Sequence, residues 1–389
     1  MQLSRQKISE APLQLLGNLT TEQFFNEYWQ KKPLLIRNAI SNFESLITPD
    51  ELAGLSLEEQ VQSRIIIEKD ADTPWKVIYS PLQESVFSEM PETHWTLLVS
   101  DVEKHIPEFT KITDQFRFIP DWRIDDLMIS YAPEGGSVGA HIDQYDVFLL
   151  QAHGQRRWQI DSKVIEDEDF IEDLEIRVLK EFTPDHDWIL NPGDLLYLPP
   201  RIAHHGVAQN DCLTYSVGFR ANSHKELVAS YTDHLLNTSE NNERYNAIDF
   251  QQHAGEITAD SIQQIKKILL KNLQIDTPNI EQWFGEFITE QKFELETVPE
   301  TAFSNTDELT HHLQSEDSVC RHPAIRFAFI KHSDHSDLFI NGNKHTTSTE
   351  FAELLCDKRH LSCDMLLEAL KTNDEKSLLL ECFSSGYLF

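Results

Sequence analysis

Two short segments in the middle of the chain constrain its fold and chemistry more than anything else in it. The first is Gly139-Ala140-His141-Ile142-Asp143. Residues two apart in a strand point to the same face, so His141 and Asp143 can reach one ion. Alone this is weak, because a bare HxD arises often by chance and a packed core histidine is commoner than a ligand. The second segment is Pro192-Gly193-Asp194-Leu195-Leu196-Tyr197-Leu198-Pro199-Pro200, a turn, a buried strand and a stop, followed by His204-His205. Such a unit paired with an HxD strand is how a small barrel gathers two histidines and one carboxylate on one side of a metal. That facial set leaves three positions open and suits a non-haem Fe(II) that also binds a cosubstrate and O₂.

Between these segments the texture is that of short strands with Gly and Pro punctuation. The runs are Leu127–Tyr131, Asp146–Gln151, Arg156–Ile160, Asp194–Leu198 and Thr214–Phe219, and their spacing predicts a β-barrel or sandwich. In cupin-type barrels the late histidine stands five residues after the proline that closes the strand. Counting from Pro199 selects His204, and strand alternation turns His205 the other way. Arg156 shares the inward face with Trp158 and Ile160. An arginine aimed into a barrel is costly unless an anion meets it. Two partners suit it, the far carboxylate of 2-oxoglutarate or a buried Asp or Glu. Ser130 can add a hydroxyl to the same anion, or bond to the backbone.

The flanks read differently. Helical spacing covers Thr20–Trp29, and Thr48-Pro49-Asp50-Glu51 is a helix start. After Arg220, helices are expected at Lys225–Leu236, Ile262–Leu273 and Trp283–Phe287, either as subunit contacts or as a spacer. A helix (Thr306–Leu313), a strand (Ala324–Ile330) and an Asn341-Gly342 turn after Leu338–Ile340 then predict a small winged-helix type module.

Charge narrows the partners. The 389 residues hold 33 Lys and Arg against 65 Asp and Glu, a net charge of −32. Binding to phosphates or anionic lipid draws on basic surface, so neither nucleic acid nor membrane is an expected partner, and a cationic one is. Residues from Ala221 on carry 14 basic and 28 acidic side chains, so the winged module points to protein contact rather than DNA. The densest acidic block, Asp161–Asp187, has 11 acidic and 3 basic side chains. It is either a solvated loop or a rim that steers a basic substrate. Met1–Leu16 has no apolar run of signal-peptide length, no stretch approaches a membrane span, and the five cysteines form no CxxC pair. A cytoplasmic protein with reduced thiols is expected.

Five segments in order, DWRIDDLMIS (Asp121–Ser130), GGSVGAHIDQYDVFLLQ (Gly135–Gln151), RRW (Arg156–Trp158), PGDLLYLPP and YSVGFRA (Tyr215–Ala221), resemble the JmjC-type ribosomal oxygenases, above all the bacterial branch that hydroxylates an arginine of ribosomal protein L16. The resemblance runs through the whole chain. It implies a mainly β plus α fold: a JmjC/cupin double-stranded β-helix (1–220), a helical dimerisation region (221–297) and a C-terminal winged helix (298–389). It implies iron ligands His141, Asp143 and His204, a 2-oxoglutarate C5-carboxylate partner Arg156, and a further cosubstrate contact Ser130. Fe(II), 2-oxoglutarate and O₂ would be used to hydroxylate the β-carbon of an arginine in a basic ribosomal protein, by a homodimer. Ala140 and Ser137 stand where Pro and Gly are usual, and Arg201 replaces the Gly of the generic cupin turn. Lysine demethylation by a JmjC enzyme, a cupin metalloenzyme without 2-oxoglutarate, and a scaffold with a decayed barrel are the alternatives. His332 and His335 (HSDHSD) lack a matching partner set and read as a solvated hairpin. Asp125-Asp126 has no nucleophile or phosphate loop beside it.

Overall fold

The computed structural model describes residues 12–68, 75–165, 169–239, 241–246, 253, 255–273, 275–291 and 303–389. Chain contacts divide it into two compact units, Met1–Ala221 and Asn222–Phe389. The expected boundary at 297/298 lies outside the described residues.

The first unit opens with helix α1 (Thr21–Glu27), strand β1 (Leu34–Ile36) and helix α2 (Pro49–Leu55). Both helices start on a threonine cap, and each capping box is complete: Thr20 with Gln23, Thr48 with Glu51. Strands β2 (Ser63–Glu68) and β3 (Trp75–Tyr79), helix α3 (Ser85–Ser88), strand β4 (Trp95–Val99) and helices α4 (Val102–His105) and α5 (Thr110–Thr113) follow. The barrel strands are β5 (Ile124–Ala132), β6 (Val147–His153), β7 (Arg156–Val164), β8 (His186–Leu190), β9 (Leu195–Leu198), β10 (Ile202–Ala208) and β11 (Cys212–Phe219). They form an eight-stranded sheet, β1-β9-β6-β11-β5-β4-β2-β3, and a three-stranded sheet, β10-β7-β8. Every pairing is antiparallel.

Alternation along the central strands sorts their side chains into two compartments. Leu127, Ile129, Phe148, Leu150, Tyr215 and Val217 join one core with the N-terminal helices. Val147, Leu149, Leu196 and Leu198 turn the other way and pack against Trp158 and Ile160 of the small sheet. Both faces are therefore buried, which is why these strands read as nearly unbroken apolar runs. The turn at Pro192-Gly193 sets β9 in place: Gly193 has φ +88°, and a Cβ there would lie 2.4 Å from the Ile40 carbonyl oxygen.

The second unit contains α6 (His224–Thr238), α7 (Ala259–Asn272), α8 (Thr277–Thr289), α9 (Thr306–Ser315), β12 (Ser318–Cys320), β13 (Phe327–Lys331), β14 (Ser336–Ile340), β15 (Asn343–Thr347), α10 (Thr349–Asp357), β16 (His360–Ser362), α11 (Cys363–Ala369) and α12 (Asn373–Ser384). Its sheet is β13-β14-β15. Asn341 and Gly342, both with positive φ, make the tight turn between β14 and β15. Trp283 on α8 donates to Ser230 Oγ on α6 at 3.0 Å. No helix among the described residues is long and apolar enough to cross a membrane.

Gly193→Ala is expected to destabilise the first unit by about 2 kcal/mol or more, since it adds left-handed strain to a backbone clash. Urea unfolding followed by tryptophan fluorescence measures it; an unchanged midpoint would show that the turn is not a constraint.

Candidate metal centre and its pocket

His141 and His204 face each other across an isolated antiparallel bridge. His141 N–H donates to the His204 carbonyl at 3.0 Å, and His204 N–H returns the bond at 2.9 Å. Directly opposed residues of an antiparallel pair project to the same side, and the two rings lie 4.2 Å apart, centroid to centroid. Asp143, two residues on, brings Oδ2 to 3.6 Å from His204 Nε2. One ligating atom from each residue lies within 4.8 Å of the other two. The turn before β10 holds this end: Arg201 N–H donates to the Asp143 carbonyl at 2.7 Å. Arg201 has φ +64°, the left-handed conformation in which the generic cupin turn uses Gly. The pairing of β10 with β7 shifts register between Ile202 and His204, the kind of irregularity that re-aims a side chain beside a site.

The ring tautomers follow from backbone acceptors. His141 Nδ1 meets the Gly139 carbonyl and His204 Nδ1 the Ile202 carbonyl, each at 2.9 Å. A carbonyl only accepts, so each Nδ1 carries the proton and each Nε2 keeps its lone pair for the centre. Burial, then the neighbouring His141, pushes the His204 pKa down to about 4, so the imidazole stays neutral. Two imidazoles and one carboxylate, with no thiolate, fit a non-haem Fe(II) set. His205 does not line this cavity; its ring lies 6.2 Å from Phe182.

The centre opens into a cavity of about 520 Å³ between the two sheets. Arg156 stands in its wall with 2% of its surface exposed. Its Nη1 donates to Ser130 Oγ at 3.1 Å and to Thr214 Oγ1 at 3.4 Å. Its Nε has no hydrogen-bond partner, and among the described residues no carboxylate pairs with it. Of the two partners open to Arg156 in the sequence, the buried Asp or Glu is therefore not found. Gly206 gives the guanidinium its room, since a Cβ there would lie 2.7 Å from the Trp158 ring and 2.9 Å from Arg156 Nε.

Sequence reasoning missed Thr214 and Gly206, whose signal exists only through strand pairing, and it set Asp125-Asp126 aside. Both aspartates line the same cavity. Burial, reinforced by Glu103, Asp101 and Asp125, raises the Asp126 pKa to about 7.

Comparison with known proteins gives two family matches, "JmjC domain" over residues 111–227 and "ROXA-like winged helix" over residues 272–389. The chain is 32% identical over 374 residues to the ribosomal protein uL16 3-hydroxylase of Escherichia coli K12, spanning 95% of this chain and 98% of that one. It is 38% identical over 273 residues to a probable ribosomal oxygenase of Haemophilus influenzae, spanning 68% and 67%. The crystal structure of E. coli YcfD superposes with a TM-score of 0.83 at 32% identity, covering 95% and 98% of the two chains. A structure of YcfD in complex with cobalt and 2-oxoglutarate gives 0.81 over the same shares.

A buried guanidinium without a counter-ion costs stability that an apolar side chain of similar length would not. Arg156→Met is therefore expected to stabilise the ligand-free protein by about 1–4 kcal/mol while abolishing carboxylate binding in the cavity. Paired thermal melts, with and without 2-oxoglutarate, check both signs; a lower melting temperature for the ligand-free variant would contradict the uncompensated charge.

Proposed function

The chain belongs to the JmjC-type ribosomal oxygenases, and on that footing we propose that it is an Fe(II)- and 2-oxoglutarate-dependent hydroxylase of a ribosomal protein, acting on the β-carbon of an arginine in uL16. The observation that carries this reading is the pairing of a His-Asp-His set with a buried, uncompensated arginine in one cavity. His141, Asp143 and His204 would hold the iron, Arg156 the C5 carboxylate of 2-oxoglutarate, and Ser130 and Thr214 would steady the guanidinium. Iron(II) bound there, with 2-oxoglutarate and O₂, supplies the oxidising power to insert one oxygen atom into an unactivated C–H bond, releasing succinate and CO₂.

The chain's own part is placement. Asp126, Met128 and Ser130 alternate along β5 onto the cavity face. Four strand steps separate Ser130, beside Arg156, from Asp126, about 13 Å apart. An anion is drawn to one end and a cation to the other. A substrate guanidinium at Asp126 restores the ionised carboxylate that burial opposes. The stretch 161–187 borders this cavity through Glu175, Ile176 and Arg177, and its surplus of carboxylates suits a basic ribosomal protein rather than RNA. A ribosomal protein substrate supports a cytoplasmic location.

Iron-loaded protein incubated with 2-oxoglutarate, O₂ and ribosomal proteins should add the mass of one oxygen to uL16 at an arginine. Asp143→Ala and His204→Ala should abolish it, and kcat/KM should fall as salt rises. Full activity in either variant would refute the ligand set, and a salt-insensitive rate would refute steering.

The oxygenase region is proposed as 1–220, the winged module as 298–389, and the helices of 221–297 as a homodimer contact. On α7, Ile262, Ile265, Ile268 and Leu269 form a stripe 41–55% exposed, and no residue of that helix is buried. An apolar stripe of that kind calls for cover. Light scattering should give twice the chain mass, and glutamate at Ile265 and Leu269 should halve it; a monomeric wild type would dismiss the contact.

A further inference from the structure

The turn between β13 and β14 gathers a second set of metal-type donors that shares no residue with the barrel centre. His332 N–H donates to the His335 carbonyl at 2.9 Å, closing the turn. The two rings stack at 4.6 Å with 25° between their planes. Asp337, on β14 two residues beyond His335, is only 5% exposed. The sequence alone suggests a solvated hairpin here, because nothing in HSDHSD announces that its last carboxylate turns inward.

His332 Nε2 is 3.0 Å from Asp337 Oδ2, and His335 Nε2 is 3.8 Å from Asp337 Oδ1. One atom from each residue lies within 4.8 Å of the others. Zinc bonds of the usual length meeting at a tetrahedral angle hold ligand atoms about 3.3 Å apart, so the two separations bracket what one ion needs. The outer contacts agree. Asp334 Oδ1 is 2.9 Å from His335 Nδ1, which fixes the proton there and leaves Nε2 free towards Asp337. Carboxylates hold metal-bound histidines in this way.

We propose that this hairpin binds a divalent transition-metal ion of the zinc class through His332 Nε2, His335 Nε2 and the Asp337 carboxylate. Two imidazoles and one carboxylate favour zinc, nickel or copper over magnesium or calcium, which prefer all-oxygen sets. Three protein ligands leave a fourth position for water. One group opposes the ion: Lys344 Nζ sits 2.8 Å from Asp337 Oδ2. Its side chain is 31% exposed, so the ammonium can swing into solvent. Lysine and metal compete for one carboxylate, and the ion staples the turn when it wins.

The competition gives the test. In native mass spectrometry of the full chain titrated with Zn²⁺, wild type should bind one ion more than His332→Ala/His335→Ala. His141→Ala/Asp143→Ala, which silences the barrel set, should retain the hairpin ion. Lys344→Met keeps all three ligands and removes a like charge, so it should bind the hairpin ion about tenfold tighter. The proposal is overturned if the double histidine variant binds as much zinc as wild type, or if Lys344→Met binds it no more tightly. Circular dichroism reports the fold of each variant; should the double variant unfold, Lys344→Met decides alone.

Discussion

The pair of backbone hydrogen bonds between His141 and His204 is the constraint on which the centre depends. It joins a segment with no strand of its own to the edge of the small sheet. Two residues distant in sequence thereby become direct neighbours with one side-chain direction. The imidazoles are then aimed by backbone carbonyls two residues back, not by other side chains. Backbone geometry alone therefore decides which nitrogen faces the cavity. The requirement on the rest of the first unit is to hold that bridge rigid. Two opposed sheets with alternating strands do so, because Leu127, Ile129, Phe148, Leu150, Tyr215 and Val217 of the large sheet, pointing away from the cavity, are anchored in a core.

Arg156 shows what such rigidity allows. A buried guanidinium stripped of water and lacking a carboxylate is unstable on its own account. It persists because β7 is paired on both sides, with β10 and β8, and because Gly206 leaves it space. Among the described residues it meets the hydroxyls of Ser130 and Thr214 and the ring of Trp158, 5.3 Å from the guanidinium carbon, which orient without neutralising. A site that withholds the counter-ion keeps the full charge for the anion that enters.

Much of this was legible in the sequence, and the limits have physical reasons. The Pro192-Gly193 turn and the inward phase of Arg156 follow from local signals, which need no knowledge of partners; the HxD pair reads as a strand in the sequence, whereas its segment forms only the isolated bridge at His141. Of the two neighbouring histidines, the structure brings His204 and not His205 beside His141 and Asp143, on strand β10. What stayed hidden depends on pairing. Thr214 meets Arg156 only because β11 lies against β5 in a register that puts Thr214 opposite Ser130. Asp126 looked like half of an ordinary acidic doublet until Glu103, 6% exposed and accepting from Leu127 N–H at 2.9 Å, appeared behind it. Asp337 is the same case: its burial is a property of the β13-β14-β15 sheet, not of its neighbours in sequence.

Net charge illustrates the same division. A surplus of 32 negative charges excludes partners through long-range repulsion, but at physiological ionic strength that field fades within about 8 Å. Selection at shorter range must come from where particular charges sit. Here the cavity carries Arg156 deep, on β7, and Asp125 and Asp126 on the facing strand β5, with Arg64 and Arg177 also in its wall. A molecule or pair of molecules with the reverse polarity is held in one orientation by both ends at once. Asp126 and the two hydroxyls that meet Arg156, Ser130 and Thr214, share one ladder, β5 against β11, so the spacing between the two ends is set by that register. Charge fixed in strand register, and not the total charge, is what gives this pocket a direction.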